Sequence, residues 1–341
     1  MPTPRRGSSA DGAGELIVAG SSYDRVRALP LQIDGFDTER REAAVAADFT
    51  RVTTIVVLSG SGVTGRGEDV TYVAEQHDTF PAVRDHGSTT LDAYSRALDD
   101  YGLGDYRRWA FESAALDLAL RQNGLTLGAV LGRTYRPVRF VISPRVDIRR
   151  WLAHDPSLEF KLDAVSAWTP TVMREISATD RVRVVDLKGQ YGGSWSPDLL
   201  DAQLYAALAE AFPEAVLEDP VWTDVTQPQL AGARDRISWD APIHSADDIR
   251  ERAPRHVNIK PSRFGSVRRL LDAIDYCEQQ GIAMYGGGQF ELDVGRAQIQ
   301  ALAALFYPDA ANDVAPGVYN EGEPRPGLPR SPLDVRARAA L

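Results

Sequence analysis

A single cysteine, Cys277, stands in 341 residues. That excludes an internal disulfide and a cysteine-based zinc site, and its amphipathic surroundings read as a small core position. No run of about 18 apolar residues occurs, so no transmembrane helix is expected. The net charge is −10, and no basic stripe interrupts it, so nucleic acid is not an expected partner, and neither is a membrane. The opening stretch, residues 1–15, lacks the apolar centre of a signal peptide and reads as a disordered tail. With so little cysteine, the reducing cytoplasm is the expected location.

What is present is an ordinary globular balance, 43% hydrophobic and 25% charged. The length suits a barrel plus a smaller domain. Residues 16–133 read as an α+β unit. Tyr23 to Gln32 alternates like a strand, and Val52 to Leu58 is a β-rich run that meets the turn residues Ser59, Gly60, Ser61 and Gly62. Gly65 and Gly67 follow, so a mobile hairpin or loop is expected over Ser61–Asp69. FESAALDLALRQNG is helical, with Phe111, Ala115, Leu118 and Ala119 on one face and Gly124 ending it.

From residue 134 to about 325 short β-rich runs alternate with helical stretches. The runs are VRFVIS (138–143), LEFKLDA (158–164), RVRVVDLKG (181–189), EAVLEDP (214–220), RISWDAP (236–242), HVNIKPS (256–262) and GIAMYGGG (281–288), with a weak eighth near Asp313–Tyr319. Thr169-Pro170 and Ser196-Pro197 open helices, Leu200, Leu204 and Leu208 form one helical face, and Gly281 closes a later helix. Eight strand–helix units predict a parallel α/β sheet closed as a TIM-type (β/α) barrel. Residues 326–341 form a C-terminal segment.

Chemistry in such barrels sits where the strands end. Here the second run ends with Lys161 and Asp163, the third with Asp186 and Lys188, the fourth with Glu218 and Asp219, the fifth with Asp240 and the sixth with Lys260. Asp186, Glu218 and Asp240 come one each from three successive strands. Three such carboxylates repel one another unless a cation sits among them, and hard oxygen ligands on a rigid frame suit Mg²⁺. Lys260 lies in an otherwise apolar strand. It reads either as an ion-pair partner of a neighbouring acid or as a general base, with Lys161 and Lys188 as further nearby positive charge.

The order of these residues resembles the enolase superfamily, and within it the muconate-lactonizing branch, over about residues 20–330. VVDLKG, LEDP and SWDAP are similar to its metal motifs on strands three, four and five, NIKPSRFGS to its strand-six lysine, and YGGGQFE to its strand-seven substrate segment. ESAALDLALRQNGLTLGAVLGRTYRPVRF resembles the helix and linker that lead from the capping domain into the barrel. The resemblance implies that Asp186, Glu218 and Asp240 hold Mg²⁺, that the ion stabilises an enediolate formed next to a substrate carboxylate, and that Lys260 is the base. It also implies a capping domain that closes over the mouth, bringing Ser61–Asp69 and Gly35–Ala44 to the substrate. Gln289 and Glu291 are candidate substrate contacts, and Glu291 reads equally as the start of the next helix.

Two positions depart from the pattern. Lys161-Leu162-Asp163 stands where relatives carry Lys-x-Lys, and Lys188 stands where they carry asparagine. Lys161 matches the first lysine. Asp163 is either an acid/base group or the ion-pair partner of Lys161 or Lys188. Lys188 either contacts substrate or replaces the missing lysine in space. One-base chemistry therefore fits better: proton abstraction followed by β-elimination or cycloisomerization. The alternatives are a racemase or epimerase with two opposed groups, and a barrel that only binds a metal or ligand. Strand seven has no histidine. His244 reads as a mouth or loop residue, and His77, His86 and His256 have no metal spacing. The expected partner is a small carboxylate, and relatives suggest a homo-oligomer.

Overall fold

The computed structural model describes residues 20–46, 49–81, 87–144, 147–191 and 202–335. The expected tail, His86 and the helix start at Ser196-Pro197 lie outside these residues. No helix among the described residues is long and apolar enough to cross a membrane.

The first half carries α1 (Ser22–Val26), β1 (Pro30–Ile33), β2 (Gly35–Ala46), β3 (Phe49–Gly60), β4 (Val63–Asp69), β5 (Gly87–Thr90), α2 (Leu91–Ala97), α3 (Asp105–Gln122) and α4 (Leu127–Leu131). β2, β3 and β4 form an antiparallel meander, and β1 pairs with β5. The expected single strand over Tyr23–Gln32 is thus corrected. Ser21 caps α1 with a capping box and ends the extended chain there, so β1 begins only at Pro30.

Of the two forms expected over Ser61–Asp69, a hairpin or a loop, the chain takes the hairpin. Ser61 and Gly62 adopt left-handed backbone and make a tight turn, after which β4 pairs with β3 along its whole length. Gly65 and Gly67 serve close packing rather than mobility. A Cβ on Gly67 would lie 2.1 Å from the Ala110 carbonyl oxygen, and one on Gly65 2.2 Å from that of Ala114. The missing side chains let α3 lie directly on the strand. Gly67→Ala should destabilise the protein by about 1–3 kcal/mol in urea unfolding, because a backbone carbonyl cannot swing aside. Gly232→Ala, with open space around its Cβ site, should change stability by less than about 0.5 kcal/mol.

The second half adds α5 (Ile148–His154), β6 (Phe160–Asp163), α6 (Pro170–Ser177), β7 (Val182–Asp186), α7 (Ala202–Ala211), β8 (Val216–Glu218), β9 (Ile237–Trp239), α8 (Ala246–Arg252), β10 (His256–Ile259), α9 (Pro261–Phe264), α10 (Val267–Gln280), β11 (Ala283–Gly286) and α11 (Val294–Phe306). Thr169 caps α6 with Pro170 in its first turn, and left-handed Gly281 ends α10, as the sequence predicts. β6 to β11 form one parallel sheet in chain order. The first and eighth runs shrink to single bridges: Ile142 meets Phe160, Phe140 meets Asn312, and Gly287 meets Asp313. Those bridges carry β11 back round to β6. The expected eighth strand over Asp313–Tyr319 is corrected to this short contact, since residues 317–321 coil into a 3-10 turn.

α3 lies between the meander and the second half, with Phe111, Ala114, Ala115 and Leu118 fully buried. Two side chains of the first half fix the segment after β11. Glu68 accepts the backbone N–H groups of Leu292, Asp293 and Gly295 at 2.6–3.3 Å. Arg51 donates to the carbonyls of Gln289 and Phe290.

Candidate active site

The parallel register sets the acids side by side. Asp163 pairs with Asp186, and Asp186 with Glu218, across adjacent strands. Alternation along β6 points Lys161 and Asp163 to the same face. Asp186, Glu218, Asp219 and Asp240 are all fully buried.

Each is held by a cation or a backbone donor. Lys161 Nζ lies 2.5 Å from Glu218 and 3.1 Å from Asp186. Lys188 folds back on a left-handed backbone to reach Asp186 at 2.6 Å and Asp163 at 3.2 Å. Lys260 donates to Asp240 Oδ2 at 2.7 Å. Tyr191 donates to the same oxygen at 2.8 Å, and Arg263 lies 3.4 Å from it. The second oxygen of Glu218 accepts from Asn258 and Tyr285. Asp219 accepts the N–H groups of Asp240 and Ala241 at 2.7 and 2.8 Å.

The electrostatics follow from this crowding. Although burial opposes it, Lys188 and Lys161 hold the Asp186 carboxyl well below the usual range. Lys260 and Arg263 do the same for Asp240 against the same opposition. Glu218 is pushed up to about 8 by burial, with Lys161 pulling against it and Asp186 and Asp240 adding to the rise. Burial and the same two aspartates push Asp219 up to about 7. Four acids meet four cations, Lys161, Lys188, Lys260 and Arg263.

Among the described residues no group of three or more His, Cys, Asp or Glu is gathered as a ready metal cage. Ammonium groups stand between the three expected ligands. Two observations still suit a hard cation. The donor set is carboxylate oxygen on a rigid frame, and buried Asp240 Oδ1 has no hydrogen-bond partner. A divalent ion would take over the charge that Lys161 now neutralises on Asp186 and Glu218.

Other expected residues fall differently. Asp163 is a rim group, its side chain 59% exposed and paired with Lys188. Gln289 and Glu291 are buried, and Gln289 turns toward Tyr72 and Tyr106 of the first half. With its amide turned to suit its neighbours, it accepts from Arg263 at 2.8 and 2.9 Å and donates to Tyr72. Tyr106 completes this polar cover over the mouth. The Glu291 carboxylate accepts the Gln289 N–H, and α11 begins only at Val294. Arg263, Tyr191, Asn258, Tyr285 and Asp219 join the site without a role legible in the sequence motifs. The signals for Arg263 and Asp219 were their places beside Lys260 and Glu218, whereas the others gave none.

His244 is tied to the start of α3. Its Nδ1 lies 3.1 Å from Asp105 at the start of α3 and 3.0 Å from the Arg263 carbonyl. Arg269 holds the other Asp105 oxygen at 2.7 Å, and Asp248 accepts the His244 backbone N–H. The hydrogen bond to Asp105 raises the His244 pKa. The stabilisation is therefore complete below the unfolded value of about 6.5 and is lost as pH rises through the higher folded value. With the His244 side chain 43% exposed, screening keeps it under about 1 kcal/mol. His244→Gln should lower the melting temperature at about pH 5.5, and the gap should close by about pH 9.

Two family profiles match the chain. The C-terminal domain of a family described as domain of unknown function DUF8230 covers residues 134–321, and its N-terminal domain covers residues 24–130. The chain belongs to this family. The names of its curated relatives and of its structural neighbours agree with the resemblance to the muconate-lactonizing branch of the enolase superfamily. An o-succinylbenzoate synthase of Geobacillus kaustophilus is 29% identical over 217 residues, 58% of this chain and 55% of the relative. An N-succinylamino acid racemase of Amycolatopsis is 28% identical over 214 residues, 58% of this chain and 56% of the relative. The chain thus spans about half the length of the curated relatives it matches. In fold it is similar to the muconate lactonizing enzyme of Pseudomonas putida, with a TM-score of 0.65 and 19% identity over 83% of this chain and 88% of that one. A dipeptide epimerase of Enterococcus faecalis gives 0.66 and 17% over 83% and 90%.

Proposed function

We propose that this chain is a Mg²⁺-dependent enzyme that removes the proton next to a substrate carboxylate, and that its ring of strands works as a TIM-type barrel with the site at its mouth. The observation that carries this reading is Lys260, buried and hydrogen-bonded to Asp240, beside the unpartnered Asp240 Oδ1. Asp186, Glu218 and Asp240 would hold the ion. Bound there, it supplies Lewis-acid stabilisation of charge on the substrate carboxylate.

The chain's own residues do the rest. Lys260 would take the proton on its Nζ as the neutral amine, which requires that its bond to Asp240 open. Tyr191 and Arg263 keep Asp240 oriented when that bond opens. Lys161 adds positive charge where the substrate carboxylate becomes electron-rich. Tyr72, Tyr106 and Gln289 exclude water from the mouth. Asp163 is rim-exposed and paired with Lys188, which supports one-base chemistry, elimination or cycloisomerization, over a racemase with a second base on β6.

The test is proton exchange. Purified protein is incubated in deuterated water with Mg²⁺ and a panel of carboxylic acids, and deuterium at the α-carbon is read by mass spectrometry. Exchange into at least one acid, removed by EDTA and restored by Mg²⁺, is expected. Turnover that ignores EDTA would remove the metal from the proposal.

A further inference from the structure

A cavity of about 570 Å³ opens beside Lys161 and Asp163, between α5 and α6. Its apolar wall is Leu162, Val165, Trp168, Val172, Ile176 and Phe290. Val165 and Val172 are 40% and 36% exposed. Only seven large apolar side chains among the described residues are that exposed, so two of them lining one cavity is a concentration of apolar surface that folding leaves uncovered. The short helix α6 turns Met173 into the core and leaves Val172 and Ile176, one turn apart, to the cavity. Phe290 is fixed from the other side, because Arg51 holds its carbonyl.

The charged groups on the wall are already matched. Arg149 pairs with Asp147 and Glu175. Asp163 pairs with Lys188, and Lys161 is committed to Glu218 and Asp186. A second ionic group on a ligand would enter without a counter-charge, which is costly in an apolar enclosure. The volume lies within the usual range for a small-molecule pocket. The inner end of the cavity is Lys161, continuous with the acid–lysine cluster.

We propose that this cavity is the specificity pocket, and that it receives an uncharged, largely apolar group, of the size of an aryl ring, carried on the distal end of the carboxylate substrate. This rests on the carboxylate reading above. Trp168 and Phe290 are its flat walls, and Val172 sets its depth.

The test measures binding by calorimetry in the presence of Mg²⁺, with three probes: butanoate, 4-phenylbutanoate and 4-(4-carboxyphenyl)butanoate. Wild type should bind 4-phenylbutanoate about tenfold more tightly than butanoate, the gain expected from burying part of a ring, and the added carboxylate should erase that gain. Val172→Trp fills the pocket, and Val165→Trp fills it from the neighbouring loop. Each should bring the ratio of the two affinities close to one, with thermal melting used to establish that the variants fold. Equal wild-type affinities for the phenyl acid and butanoate would overturn the pocket while leaving the carboxylate site standing. A tenfold preference that survives both tryptophans would also overturn it. Failure of wild type to bind any of the three would overturn the carboxylate reading itself, and the pocket with it.

Discussion

Replacing Lys260 with alanine is expected to lower α-proton exchange by about 10³-fold, within the range that a positioned general base contributes. The same change removes one partner of a buried ion pair, which can itself cost about 3–5 kcal/mol. Asp240 keeps Tyr191 at 2.8 Å and Arg263 at 3.4 Å, so the loss of stability should fall at the low end of that range and leave the protein folded at 25 °C. Lys260→Arg separates the two roles. It restores a cation for Asp240 but stays protonated at any working pH. Stability should recover while exchange stays lost, by mass spectrometry of deuterium uptake beside urea unfolding. Recovery of exchange by arginine would show that Lys260 only neutralises charge.

Asp219→Ala should give the largest loss of stability, about 3–5 kcal/mol in urea unfolding. Asp219 is fully buried and sits at a φ of 50°, a left-handed conformation that aspartate and asparagine tolerate better than alanine. Its two oxygens accept the backbone N–H groups of Asp240 and Ala241. Alanine strands both donors in the interior and adds backbone strain. It also frees the turn that aims Asp240, so Mg²⁺ affinity should fall with stability. Asp219→Asn keeps the backbone preference and one acceptor and should recover about half of the loss. Two equally stable variants would mean that the turn is held by something other than this carboxylate.

The second half of the chain was legible because its strands are bounded sharply and end in charge. Asp186, Glu218, Asp240 and Lys260 each interrupt an apolar run, and a parallel sheet turns that pattern into one mouth. Lysine usage was a further signal: the chain has three lysines among its 38 basic residues, and all three lie in this cluster. Arginine serves every surface role, so lysine survives only beside the acids. The first half was harder. Gly65 and Gly67 look like a loop in one dimension, because nothing local says that a helix distant in sequence will lie on the strand. Tyr23–Gln32 alternates, but the Ser21 cap decides the outcome. Asp163 stands where a lysine is expected and Lys188 where an asparagine is, and only the geometry shows them paired. Tyr191, Tyr285 and Asn258 left no trace, since their role depends on which strand ends face one another.

The most direct measurement is an anomalous-difference map from crystals grown with Mn²⁺ in place of Mg²⁺. One strong peak is expected, bounded by carboxylate oxygens of Asp186, Glu218 and Asp240, with Asp240 Oδ1 among them and the Lys161 ammonium displaced from between Asp186 and Glu218. A map with no peak at those three residues, and Lys161 still seated on Glu218 and Asp186 at saturating metal, would contradict that expectation.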